Sequence, residues 1–574
     1  MNVTVSGKYD LREKTYIQMP SVASIAREAK NHLGVGLAEK EWQDNPKLAS
    51  QKFLHIGAYH SFLDEDTLIL LGRTGTGKTS ILKSIEYNIN KGHVDNYNLV
   101  ILDDFTDLFN VLLKQTITES ESTTLYQMET IIDTTVITMV MLHVVEKFPN
   151  AEELKKVCDY LNDNGLYSNR KTKNFLRKIL SSFRSTSTNS VANIYNSVAD
   201  IFSFIKNELT TKYAEAKDEL IDFLSDKKVL VMFDSLNNYN VCEKSEILAV
   251  KALIATCFKY YVDNSSSHIY LKIALPSEVH TRILDSLPGK QQGNTVLIQW
   301  NYKELTSFVA LRFQYWCKDS KSKAYNLDLK FANLFKYEDF SINNNGAYEK
   351  SKELLNNFLP ITCPTCSLRE FDTISYCMRH TLKKPREILM LFNALIEEMI
   401  AQKNSRFFID NPDAIKTTIH STQESMVKSA LSMYENSFRL INDACYVVLN
   451  SSRFVFSLNE IRSKLKEAER HVNNAYDKDE ILRILFESGL VGVINEVRHI
   501  NKPAEIFKSK EPFDFIIANF EYQIKGKITP ALSDQYVIHP MCYEYYRCFV
   551  DEHAMVYPNR FADEEDIINA ILKD

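Results

Sequence analysis

Leu68 to Leu71 run directly into Gly72-Arg73-Thr74-Gly75-Thr76-Gly77-Lys78-Thr79, and Ile81, Leu82, Ile85 and Ile89 come next at the spacing of one helix face. An apolar strand, a glycine turn and a helix in immediate succession leave few folds open. The octapeptide satisfies G-x-x-x-x-G-K-[ST] at every fixed position. Its glycines let backbone N–H groups turn inward around the β- and γ-phosphates of a nucleotide. The ammonium of Lys78 adds a mobile positive charge, and Thr79 offers a hydroxyl to a divalent cation. The helix after the loop points its positive end at the same place. Gly72, Arg73, Thr74, Gly75, Thr76, Gly77, Lys78, Thr79 and Ser80 are therefore the candidate phosphate-binding residues. The plainer reading, a glycine turn with no ligand, leaves the lysine and threonine unexplained. Glycine is scarce elsewhere, with 15 in 574 residues, so the cluster stands out from its background.

Other apolar runs extend this unit. Leu99 to Leu102 ends in Asp103-Asp104, Val229 to Phe233 ends in Asp234, Ile269 to Leu275 ends in Pro-Ser277-Glu278, and Val296 to Trp300 closes the series. Short apolar runs without alternation, separated by helical stretches, predict strands buried on both faces of a parallel sheet. The fold class expected is α/β, with the sheet domain spanning residues 61–300. The long interval between the second and third runs has helical periodicity and no comparable strand, which predicts a helical insertion at about 106–226. Residues 1–60 are expected to form an N-terminal extension packed on the residues after it, with a helical signal in SVASIAREAKNHLG. From Asn301 to about Arg439 the pattern stays helical, broken by a polar stretch with Asn343-Asn-Asn-Gly346 and by Cys363-Pro-Thr-Cys366. From 441 to 574 the pattern predicts three helices, one opened by the capping box Ser457-Leu-Asn-Glu460, and a two-stranded hairpin from Leu490 to Ile494 and Phe520 to Ile524. That combination reads as a winged helix.

Composition narrows the classes of function. With 68 basic and 74 acidic residues the formal net charge is -6, so no bulk positive field draws the whole chain onto nucleic acid or lipid. The N-terminus lacks the apolar core of a secretory signal. The run from Val136 to Val145 is too short to cross a bilayer and reads as a buried helix. Ten cysteines in mostly apolar surroundings suit a reducing compartment. A cytoplasmic protein without membrane contact is the expectation.

A nucleotide site also needs a carboxylate to help hold Mg²⁺ at the end of a neighbouring buried strand. Asp234 is favoured over Asp103 and Asp104, because the run ending at Asp103 leads into the insertion, as a peripheral strand would. The plain alternative for Asp234 is an aspartate capping a turn. Ser235 stands after it, where a glutamate would polarise water. Either another carboxylate serves, from Asp103, Asp104 and Glu278, or hydrolysis is slow.

Four pieces in order, Gly72 to Thr79, the Asp234 strand, the strand ending Leu-Pro-Ser-Glu278, and Arg379-His-Thr-Leu-Lys-Lys-Pro-Arg386-Glu-Ile388, resemble AAA+-related P-loop ATPases of the STAND and origin-recognition type that end in a winged helix. The resemblance covers roughly residues 50–550. It implies ATP and Mg²⁺ as cofactors and a P-loop sheet followed by a helical lid over 301–440. Lys78, Asp234 and Arg386 would be the catalytic residues, with Thr79 and Asp234 on the metal. Arg386, in a Pro-Arg pair opening a lid helix, would sense the γ-phosphate, and Ser277 or Glu278 would fill the sensor position on the fourth strand. A trans-acting arginine is not placed among Arg282, Arg312 and Arg379. The function implied is an ATP-hydrolysing switch controlling a partner protein or its own oligomerisation, with antiviral defence in bacteria as the organism-level role. The alternative is an ATP-dependent DNA-binding initiator or regulator acting through its winged helix. A third option is a nucleotide-binding scaffold that never hydrolyses.

Other signals weigh less. Cys363-x2-Cys366 with Cys377-x2-His380 has zinc-like spacing, but Cys377 and His380 lie on the helix expected to lead to Arg386. Arg462, Lys464, Lys466 and Arg470 on the second C-terminal helix suit DNA phosphates, yet Glu460, Glu467 and Glu469 interleave with them as on a solvated helix. Tyr543, Tyr545, Tyr546 and Phe549 are expected to pack a terminal helix.

Overall fold

A computed structural model describes residues 3–6, 9–10, 15–20, 31–34, 38–103, 112, 119–163, 211–234, 243–283, 294–323, 325–341, 344, 346–364, 370–500, 512–520, 523–524, 527–528 and 535–558. The chain divides into two compact units. One comprises Gly57–Arg73 and Lys78–Ile298; the other comprises Met1–Ile56, Thr74–Gly77 and Gln299–Asp574.

The first unit is α/β and is built on a five-stranded parallel sheet. Its spatial order is Leu99–Asp103, Val229–Phe233, Ile269–Pro276, Ile69–Gly72 and Thr295–Leu297. Every residue of the three inner strands is buried, which is why they read as unbroken apolar runs rather than alternating ones. From Ile69–Gly72 the chain crosses to one edge and returns strand by strand. It then places Thr295–Leu297 on the far side of the first strand. All strands run the same way, so the loop after Gly72, Asp103, Asp234 and Ser277-Glu278 all lie at the carboxyl edge of the sheet. In open α/β sheets that edge is where ligands bind, at the place where strand order reverses.

The helix Lys78–Asn90 buries Ile81, Leu82, Ile85 and Ile89, the face expected from their spacing. Within the expected insertion are the helices Glu121–Lys147, Lys155–Asp163 and Thr211–Phe223, while 104–111, 113–118 and 164–210 lie outside the described residues. Glu121–Lys147 is capped by Ser120, whose side chain accepts from the Thr123 N–H, and packs against Lys244–Ser267. The apolar run Val136 to Val145 is thus part of a 27-residue helix. That helix is long and apolar enough to cross a membrane, but 72% of its most apolar window is buried inside the protein.

The second unit combines helices with a six-stranded sheet. Tyr302–Lys318 opens on a capping box in which Asn301 and Glu304 exchange side-chain and main-chain bonds, and it packs against Pro385–Ala401. Asp413–Glu435 packs on Pro385–Ala401 in turn. Beyond residue 440 the three expected helices form as Ile441–Leu449, Leu458–His471 and Lys478–Glu487, the second on the capping box of Ser457 and Glu460. The expected hairpin is corrected: Val491–Ile500 pairs with Phe513–Asn519, while Gln523–Ile524 pairs with Lys527–Ile528. It is also part of a larger sheet in the order Val455–Ser457, Gln535–Ile538, Val491–Ile500, Phe513–Asn519 and Ala554–Pro558.

The N-terminus belongs to this same unit. Val3–Ser6 pairs antiparallel with Val491–Ile500, and Tyr16–Gln18 pairs with Phe549–Asp551. Most of the helical signal in SVASIAREAKNHLG lies outside the described residues. The terminal helix expected at Tyr543 to Phe549 is instead a turn after the short helix Pro540–Cys542, leading into the strand Phe549–Asp551. Arg547, at φ +50°, takes the chain out of helical geometry, and the Cys548 N–H closes back on the Tyr543 carbonyl before the strand begins.

Tyr9 ties the N-terminal segment down. Its ring is buried, its hydroxyl donates to the buried carboxylate of Asp551, and burial together with Asp551 pushes its ionisation far above the usual tyrosine range. Tyr9→Phe deprives a buried carboxylate of that donor while keeping the ring. The expected loss is about 1–3 kcal/mol of unfolding free energy, read as a lower urea midpoint at unchanged slope.

Candidate functional site

The strand Ile69–Gly72 delivers the chain to the glycine loop at the carboxyl edge. Gly75 has φ +90° and Gly77 φ +99°, values in the left-handed region that side chains disfavour. A Cβ placed on Gly75 would stand 3.2 Å from the Cβ of Arg386, whereas one on Gly77 would meet nothing within 4 Å. The loop is therefore closely covered at Gly75 and open at Gly77. Lys78 is buried at the start of the helix Lys78–Asn90. Its Nζ donates to the carbonyls of Gly72 at 2.8 Å and Arg73 at 3.3 Å, folding the ammonium back across the base of the loop. Thr79 and Ser80 are partly exposed in the first helical turn, where backbone N–H groups have no intrahelical partner. Thr74 is partly exposed and Arg73 and Thr76 are buried.

Two groups outside the motif hold the loop from behind. The indole Nε1 of Trp300 donates to the Thr76 carbonyl at 2.8 Å, and the main-chain N–H of Arg386 donates to the Gly75 carbonyl at 3.4 Å. In the sequence Trp300 merely closes an apolar run; the strand itself stops at Leu297, and nothing local marks the indole's role. Arg386 comes directly after Pro385, the first residue of the helix Pro385–Ala401. Its guanidinium is partly buried, and that burial lowers its ionisation from the usual arginine value.

The carboxylates sort by strand. Asp234 comes directly after Phe233, is buried, and its N–H donates to the Asp103 carbonyl at 2.9 Å. Asp103 ends the edge strand and is partly exposed, and Asp104 and Ser235 lie outside the described residues. The strand Ile269–Pro276 neighbours the loop strand, with Pro276 opposite Gly72. Ser277 and Glu278, the next residues, are both buried, and the short helix they open packs against the loop strand. Glu278 Oε2 accepts no hydrogen bond among the described residues. The Thr79 hydroxyl and the carboxylates of Asp234 and Glu278 are hard oxygen donors of the kind Mg²⁺ accepts, so the side chains present fit that ion.

Of the arginines considered for action on a neighbouring subunit, Arg312 is buried and bidentate to Glu41 at 2.8 and 3.0 Å, with a further bond to the Leu33 carbonyl. Arg379 is buried and donates to the Val556 carbonyl. Both are engaged within their own chain, and the Arg282 side chain lies outside the described residues. Cys363 and Cys377 are buried, and burial raises the Cys377 thiol well above the usual range, which disfavours a thiolate ligand. His380 is buried too, and its ionisation is depressed by burial and by Arg379. Cys366 lies outside the described residues, among which no group of three His, Cys, Asp or Glu side chains is arranged for a metal ion. Arg462, Lys466 and Arg470 are exposed on Leu458–His471 beside exposed Glu460 and Glu467; Lys464 is half-buried and donates to the Asn450 carbonyl.

No protein-family model matches the chain, and no curated protein matches it in sequence.

Gly75→Ala forces a left-handed φ and a crowded Cβ at once. It is expected to cost about 1–3 kcal/mol in denaturant titration, while Gly57→Ala, whose added methyl meets nothing within 4 Å, should stay within about 0.5 kcal/mol of wild type.

Proposed function

We propose that the chain is an ATP-binding, ATP-hydrolysing switch whose phosphate site is the loop Gly72 to Ser80. The observation that carries this reading is the geometry of the loop. A fully buried parallel strand ends in a turn with two left-handed glycines, and the turn leads through a buried lysine into a helix, at the carboxyl edge where strand order reverses.

Each residue has a distinct task in this reading. Main-chain N–H groups of the loop bind the phosphate oxygens without losing side-chain freedom, which favours a preorganised anion site. The Lys78 ammonium exchanges the Gly72 and Arg73 carbonyls for phosphate oxygens. Thr79 and Asp234 would hold Mg²⁺, whose chemistry there would be neutralisation of phosphate charge. Glu278, buried beside the loop strand with one oxygen unbonded among the described residues, orients the attacking water in place of the glutamate missing at 235. Arg386 senses the γ-phosphate through its side chain. The helices of 301–440 act as a lid that responds to nucleotide state, which requires ATP to bind its two positions with different free energy.

The three helices after residue 440 and the hairpin Val491–Ile500 with Phe513–Asn519 support a winged helix as the output surface, acting on a protein partner or on further copies of the chain. Exposed Arg462, Lys466 and Arg470 favour a second reading, in which ATP loads this surface on DNA. A DNA affinity falling steeply with salt supports that reading, and indifference to DNA removes it.

Calorimetry with ATP and Mg²⁺ is expected to show one site in wild type and at least about tenfold weaker binding in Lys78→Ala. Absence of nucleotide uptake by folded wild type would end the proposal. Glu278→Gln is expected to bind ATP normally yet lose roughly a hundredfold in turnover; wild-type turnover would assign water activation elsewhere. Arg386→Ala should keep binding and lose turnover or ATP-driven assembly, measured by phosphate release and by sizing with and without ATP.

A further inference from the structure

We infer that Trp300 is a positioning residue for the phosphate loop, its indole N–H holding the Thr76 carbonyl so that the Gly77 N–H is presented to the nucleotide. This rests on the nucleotide reading above. The chain contains no cis peptide among the described residues, so the Thr76–Gly77 unit is trans, with its C=O and N–H on opposite sides. Fixing the carbonyl therefore fixes the direction of the Gly77 N–H. That restraint is needed here because glycine opposes rotation least, and a Cβ at Gly77 would meet nothing that could block a flip.

The donor is itself rigid. Trp300 is buried and its ring lies 5.4 Å from that of Phe308. The Arg312 guanidinium stands 4.9 Å over the Phe308 ring while bound to Glu41. A side chain locked in this way transmits orientation without spending rotamer freedom when the ligand arrives.

The preceding peptide is held by a second strut. The Arg386 N–H sits in the first turn of the helix Pro385–Ala401, where it has no carbonyl within its own helix, and it donates to the Gly75 carbonyl. The same trans geometry turns the Thr76 N–H the opposite way. The Gly75 and Thr76 carbonyls, in successive peptides, are thus each held by a donor from outside the motif. Trp300 touches no phosphate; it acts through the peptide it holds.

Trp300→Phe removes the N–H and keeps an aromatic ring. In the full-length chain it is expected to weaken ATP and ADP binding by about three- to tenfold, the value of one buried hydrogen bond. Gly77 meets the ground state and transition state alike, so KM for ATP should rise by the same factor while kcat stays within about twofold. Nucleotide should also change the tryptophan emission of wild type, Trp42→Phe and Trp316→Phe, but not of Trp300→Phe. Wild-type affinity in a folded Trp300→Phe protein, or an emission change that survives in it, overturns the inference and leaves nucleotide binding intact. Failure of wild type to bind ATP or ADP overturns both. Should Trp300→Phe not fold, the double variant Trp42→Phe/Trp316→Phe keeps Trp300 as its only tryptophan. Emission that responds to ATP supports the role, and emission that is silent with ATP bound removes it.

Discussion

The direction in which a few peptide planes point, between Gly75 and Lys78, is the constraint on which the rest of the site depends. A turn binds an anion with its backbone when consecutive N–H groups face the same way, a conformation that glycines at positive φ permit. Left-handed glycines make the turn possible but not rigid. Rigidity comes from its surroundings. The fully buried strand fixes one end, the Lys78 helix fixes the other, and the Gly72, Arg73, Gly75 and Thr76 carbonyls are each taken by a donor.

The parallel sheet does the corresponding work for the side chains. Because all five strands run the same way, every residue just past a strand emerges at one edge. Asp234 and Glu278, 44 positions apart in the numbering, are brought to the edge that carries the glycine loop. The pairing of Pro276 with Gly72 puts Ser277 and Glu278 next to the loop strand, while Asp234 is one strand further away. Burial of Glu278 with a carboxylate oxygen that accepts no hydrogen bond among the described residues is unfavourable for folding alone.

Much of the parallel-sheet unit was legible in the chain itself. Val229–Phe233 begins and ends where its apolar run does, and Ile81, Leu82, Ile85 and Ile89 form the buried face their spacing announced. The capping box at Ser457 opens a helix as its side chains dictate. These are local effects, in which hydrophobic period and nearby side-chain bonds act over a few residues. The misplaced hairpin strand and the terminal helix that is a turn share the opposite cause. Phe513–Asn519 is selected by pairing with Val491–Ile500 across a connection outside the described residues. The aromatic cluster after Pro540 is held by Gln423 and by neighbouring turns rather than by its own periodicity.

The amino-acid sequence alone determined the glycine loop, the buried strands and the helix behind them, because each is encoded within one turn or one strand. Only the tertiary structure decided the strand order, the adjacency of Glu278 to the loop strand, the joining of Val3–Ser6 to a sheet formed near the other end of the chain, and the indole of Trp300 behind Thr76. Those depend on contacts between residues tens to hundreds of positions apart. Such contacts are chosen by complementary burial and hydrogen-bond satisfaction in three dimensions, and they leave no periodic trace in either partner.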